Sequence, residues 1–142
     1  MIDAQNVIRM KINLNLEYNL AHVAHMYICK SRINSKYEFV KCQTLKPYMI
    51  INNPICHYID EEADIARNPF RSKTRIDCDK VFRSFHVGYS DSLLTTDRSD
   101  ICDDLFQMIN DNLEKEGFCN MDLDEGWLVC HNNLITFVDE TN

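Results

Sequence analysis

The sequence predicts an α+β fold, a single compact domain in which helices pack on one face of a mainly antiparallel sheet. Three observations lead there. Residues 7–16 alternate apolar and polar side chains, the period of a half-buried strand. Residues 99–116 read as a bounded amphipathic helix. The runs of β-formers between them are punctuated by Pro and Asn turn signals. At 142 residues, 45% of them apolar, residues 1–142 suit one domain with a core of its own.

Taken in order, Ile8, Met10, Ile12, Leu14 and Leu16 share one side of the first strand, with Arg9, Lys11, Asn13 and Asn15 on the other. Residues 18–32 change period, because Leu20, Val23, Met26, Tyr27 and Cys29 fall close to helical spacing; a second long strand is the rival reading. Residues 37–44 and 48–52 carry β-formers around Lys46-Pro47, closed by Asn52-Asn53-Pro54, and read as a hairpin or meander. An irregular insert is expected around 54–77, where the acids Asp60, Glu61, Glu62 and Asp64 give way to bases and Asn68-Pro69 breaks any helix. Residues 78–87 offer Val81, Phe82, Phe85 and Val87 for packing, as a short helix or strand.

In the helix at 99–116, Ser99 is placed to cap the start. Asp100, Asp103 and Asp104 sit at the positive end of the helix dipole, and Gly117 can take the left-handed C-terminal position. Its buried stripe reads Ile101, Leu105, Met108, Ile109 and Leu113, helped by Cys102 and Phe106. Residues 127–138 read as two short strands around His131-Asn132-Asn133, a terminal hairpin.

Composition narrows the function. Three glycines, Gly88, Gly117 and Gly126, allow no phosphate-cradling loop and no nucleophile elbow. The first residues lack the pattern of an export or transit signal, and no window approaches the roughly 18 apolar residues of a membrane span, so a cytoplasmic protein with no membrane partner is expected. Seven cysteines, an odd number without a C-x-x-C spacing, read as reduced and mostly structural thiols. The neighbours Cys56-His57 and Cys130-His131 do not indicate thiol catalysis, since consecutive strand residues face opposite ways. Asn, Ile and Asp occur 14 times each against five Ala, a skew toward AT-rich codons shared by phages, large viruses and some bacteria.

Charge is unevenly spread: residues 1–66 are neutral, 67–90 carry +4 and 91–142 carry −11. A single-signed surface concentrates opposite charge and repels like charge. These features predict a small intracellular interaction protein without catalysis, of the accessory or inhibitory kind that phages and mobile elements encode. Its partner would be a protein with a basic surface, met by Asp103, Asp104, Asp111, Glu114, Asp122, Asp124 and Glu125. The alternative is a nucleic-acid-binding module, with Arg67, Arg71, Lys73, Arg75, Lys80 and Arg83 on phosphates and Phe70, Phe82, Phe85 and Tyr89 stacking on bases. The net charge of −7 speaks against it. A further alternative is zinc, since His22, His25 and Cys29 would share one helix face. The paired spacings of zinc ribbons and fingers are missing, and no motif implies a cofactor.

Overall fold

A computed structural model describes residues 1–12 and 23–138. Among them the strands are β1 (Val7–Met10), β2 (His25–Ile33), β3 (Lys36–Thr44), β4 (Tyr58–Glu61), β5 (Thr74–Asp77), β6 (Lys80–Ser84), β7 (Val87–Tyr89), β8 (Cys119–Asp122) and β9 (Ile135–Phe137). The helices are α1 (Pro47–Ile51), α2 (Asp103–Glu116) and α3 (Glu125–His131).

β1, β2 and β3 form an antiparallel meander, with Ile8 opposite Tyr27 and Ile28 opposite Val40. β3 is the central strand. Its C-terminal half pairs with β5 and its N-terminal half with β6, both antiparallel. Outside them lie β4, antiparallel to β5, and β8, parallel to β6. β7 and β9 make a separate two-stranded antiparallel sheet.

The two-residue side-chain period of these strands creates two cores. Ile8, Tyr27, Cys29, Phe39 and Phe82 point one way, onto Val87 and Tyr89 of β7, Leu128 of α3 and Ile135 of β9. Val7, Ile28, Val40, Cys42, Ile76 and Val81 point the other way, onto Phe70, Ile101 and the α2 residues Leu105, Ile109 and Leu113. The α+β class and the mainly antiparallel sheet are therefore present, with α2 covering one face and α3 with the β7/β9 pair covering the other. Central strands buried on both faces lose the simple alternation of a one-sided sheet. Consecutive buried residues such as Tyr27, Ile28 and Cys29 show that loss.

Several local expectations are corrected. Residues 25–33 are a strand, the rival of the helix expected over 18–32, because β1 and β3 claim the backbone hydrogen bonds on both sides. Residues 13–22, which hold the rest of that segment and Leu14 and Leu16, lie outside the described residues. Residues 47–51 are the helix α1 where a strand was expected over 48–52: Pro47 occupies its first turn, where a missing N–H costs nothing and φ is already helical. The region 54–77 is less irregular than expected, since β4 and β5 within it join the sheet. Its connecting loop is fixed by Asn68, whose Nδ2 donates to Glu61 Oε2 (2.9 Å) and the Glu62 carbonyl (3.0 Å) while its Oδ1 accepts from the Phe70 N–H (3.0 Å). Residues 125–131 are helical in place of the first strand of a terminal hairpin, and β9 pairs with the distant β7.

Ser99 does not cap α2. Residues 99–101 are used to hold the N-terminal segment: the Val7 N–H donates to the Ser99 carbonyl (2.9 Å) and the Ile101 N–H to the Gln5 carbonyl (3.0 Å). The helix starts three residues later, and the Cys102 sulfur accepts from the Leu105 N–H at 3.5 Å. Gly117 ends it at positive φ, as expected, but in an extended conformation (φ +78°, ψ 162°) in place of the left-handed helical one, its N–H donating to the Leu113 carbonyl.

Candidate functional site on the outer face of α2

Leu105, Ile109 and Leu113 fix the rotation of α2 by burying one stripe on the sheet. That rotation puts Asp103, Asp104, Gln107, Met108, Asp111 and Glu114 in solvent. Asp103 Oδ1 accepts from Gln5 Nε2 (2.9 Å) and Asp111 Oδ1 from Gln107 Nε2 (2.9 Å). Both acceptor bonds leave the negative charge in place. Among the described residues no cation forms an ion pair with any of these four carboxylates. Lys115 is the only base in the helix, and Arg67, already held by Glu61, adds a longer-range attraction to Asp104. Met108 is 47% exposed and lies one turn from Asp104 and from Asp111, so an apolar side chain sits at the edge of the acidic face.

The other three acids expected on the partner surface are occupied by the fold. Asp122 pairs with Arg83 across β8 and β6 (2.7 Å). Asp124 caps α3, accepting from the Trp127 N–H at 3.0 Å. Glu125 turns inward onto the β6–β7 connection: Oε2 accepts from the Phe85 and His86 N–H groups, and Oε1 lies 2.9 Å from His86 Nδ1. Burial pushes the Glu125 carboxyl up, but those amides and the imidazole outweigh it and hold it below the usual carboxylate range.

The basic segment is neutralised from within. Arg67 pairs with Glu61, Lys73 with Glu62, Arg75 with Asp60 and Arg83 with Asp122. Arg71 and Lys80 are exposed. Phe70, Phe82 and Tyr89 are buried, so three of the four rings expected to stack on bases belong to the core. The helix face assumed for the zinc alternative is absent for two of its residues: His25 and Cys29 lie on a strand, four residues or roughly 13 Å apart along its axis, and His22 is outside the described residues. Cys29 is fully buried, and burial, followed by the Asp3 carboxylate, pushes its thiol up to about 12. Among the described residues no three His, Cys, Asp or Glu side chains group as a metal site. No protein-family model, no curated protein and no solved structure matches the chain.

Met108, which the sequence pattern places in the buried stripe, lies on the surface. The signal was available: at about 100° per residue it lies off the direction shared by Leu105, Ile109 and Leu113, and Phe106 lies nearer to it. A second grouping, His57 between Asp79 and Glu116, joins residues distant in sequence (3.1 and 3.5 Å), and no spacing rule points to it.

Proposed function

We propose that this protein is a non-catalytic binding protein that docks a basic partner protein on the outer face of α2. The observation that carries the reading is a contrast in charge pairing. Asp3, Glu38, Asp60, Glu61, Glu62, Asp79, Asp100, Asp122 and Glu125 each have a basic side chain within ion-pair distance. Asp103, Asp104, Asp111 and Glu114 have none among the described residues, and they lie together. Carboxylates left unneutralised on one helix face, with an exposed methionine at its edge, suit a cationic surface with a small apolar recess. The charges steer encounter and select the partner, while Met108, flexible and polarizable, supplies adaptable contact. Occupying a cationic site on another protein blocks it, which is the accessory or inhibitory mode expected of a small cytoplasmic protein of phage or mobile-element type. Among the described residues no helix is long and apolar enough to cross a membrane.

The test uses a lysine- and arginine-rich peptide as the probe. Two variants of equal net charge are compared: Asp111→Lys with Glu114→Lys, and Glu62→Lys with Asp97→Lys as the control. Association with the α2 variant should slow by about tenfold at low ionic strength and lose most of its salt dependence, with the control close to the parent. Equal slowing in both variants would reduce the effect to net charge and reject the face.

A further inference from the structure

β4 and β8 lie end to end along one edge of the sheet, and both start at the kink between β5 and β6. Tyr58 is opposite Asp77 and Cys119 is opposite Lys80. Ahead of β4 the His57 carbonyl still accepts from the Cys78 N–H (2.9 Å), whereas the Cys56 N–H leaves the ladder for the Asp79 carboxylate. Cys56 thus lies just ahead of β4 and Cys119 at the start of β8, both beside Asp79 in the short connection between β5 and β6. A disulfide spans about 4.4–6.8 Å between α-carbons.

Asp79 holds the two cysteine backbones together. Its carboxylate accepts from the Cys56 N–H (2.8 Å) and the His57 N–H (2.9 Å), and its carbonyl accepts from the Cys119 N–H (2.8 Å). The His57 ring adds a second tether, with Nδ1 on Asp79 at 3.1 Å and Nε2 on Glu116 at 3.5 Å, three residues before Cys119. Cys56 and Cys119 are both exposed, whereas Cys29, Cys42 and Cys78 are buried and the half-buried Cys102 caps α2. Two solvent-accessible thiols on different chain segments are thereby anchored to one residue.

We propose that Cys56 and Cys119 form a reversible redox pair, closed by a hydroperoxide and reopened by a dithiol. One thiolate attacks a peroxide oxygen, breaking the O–O bond and giving a sulfenic acid; with hydrogen peroxide the leaving hydroxide takes up the thiol proton as water. The second thiolate attacks the sulfenic sulfur, the S–S bond forms and the S–O bond breaks, and a second water leaves. Sulfur is oxidised by two electrons in all and the peroxide is reduced by two. The disulfide would fasten the chain ahead of β4 to the segment that follows α2, closing a long loop and stabilising the fold.

The experiment treats the full chain in its native state with hydrogen peroxide, quenches with an alkylating agent and maps peptides by mass spectrometry. The expected product is a peptide pair joining Cys56 to Cys119, 2 Da lighter than the two free peptides, formed in most molecules and lost on adding dithiothreitol. Thermal unfolding of that product should shift upward by about 5 °C or more. Cys56→Ser and Cys119→Ser, both at exposed positions, should each abolish the crosslink and leave the remaining thiol as sulfenic acid. Both thiols staying free, being oxidised singly, or pairing with Cys130 or with another molecule would overturn the proposal.

Discussion

Arg75 belongs to the basic run that suggested phosphate contacts, yet it is 4% exposed. Its Nε and Nη2 donate to the Asp60 carboxylate (2.7 and 2.8 Å), its Nη1 donates to the Met49 carbonyl (2.9 Å), and it stacks 3.7 Å above the Tyr58 ring. Those hydrogen bonds hold Asp60 below the usual carboxylate range. Asp60 therefore contributes stability that is present above its unfolded value near 3.9 and is lost as pH falls through its lower folded value. Arg75→Ala should cost on the order of 3 kcal/mol in chemical denaturation, since it strands a partly buried carboxylate. A small loss, under about 1 kcal/mol, would show that Asp60 finds water instead. His25 has the opposite charge logic. Burial, followed by the Lys41 cation, pushes its imidazole down to about 4 from 6.5. Between those values the unfolded chain binds a proton that the folded chain refuses, so stability should fall as pH drops from about 6.5 to about 4. His25→Gln should remove that slope from a plot of Tm against pH, and an unchanged slope would assign it to other groups.

The ends of α2 set its position, and each end can be tested. Cys102 uses a weak sulfur acceptor where serine or threonine is usual. Cys102→Ala should cost on the order of 1 kcal/mol, while Cys102→Ser, which restores a stronger acceptor, should be neutral or stabilising. Urea midpoints distinguish a cap, where the two variants diverge, from a packing role, where both lose stability. At the other end Gly117 has φ +78° and ψ 162°, a backbone region open almost only to glycine. A Cβ there would meet no heavy atom within 4 Å. Gly117→Ala should therefore destabilise through the backbone alone, by about 1–2 kcal/mol. A neutral result would mean that the helix end relaxes into an ordinary conformation. α1 makes a different point: Tyr48, Ile50 and Ile51 are 57%, 66% and 79% exposed, so an apolar run that reads as a sheet strand is a short surface helix. Pro47 decided this, together with the partners β5 and β6 that already occupy the edge of β3.

Across the whole molecule the cysteines report which surfaces are core. Cys29, Cys42 and Cys78 are buried. Burial first, then neighbouring carboxylates, Asp3 for Cys29 and Asp77 with Asp79 for Cys78, pushes those two thiols up to about 12; burial pushes Cys42 up as well. Cys56, Cys119 and Cys130 are exposed, so the expectation of mostly structural thiols applies to the other four. With reduced protein, Cys56, Cys119 and Cys130 should alkylate at once, and Cys29, Cys42 and Cys78 only through opening of the sheet. Their protection factors should track global stability and fall together in Arg75→Ala. Early labelling of Cys42 would show that the central strand opens on its own.

The α+β class, a strand beginning at residue 7, a strand over 37–44 and α2 with its acidic face and glycine terminus are legible in the sequence alone, although β1 ends at Met10 where the alternation runs to residue 16. Each is written in local periodicity or in a residue whose backbone preference acts where it stands. The sequence does not show which acids the fold neutralises or ties to backbone amides. Asp122, Asp124 and Glu125 look like the α2 acids in composition, but Arg83, the Trp127 N–H and the Phe85 and His86 amides take them up, and all of these are set by chain geometry. Nor did it reveal that β2 is a strand, that β9 pairs with β7, or that Cys56 and Cys119 meet at Asp79. Those outcomes depend on backbone hydrogen bonds and buried contacts between segments up to 60 or so residues apart, and side-chain spacing along one segment carries no record of them.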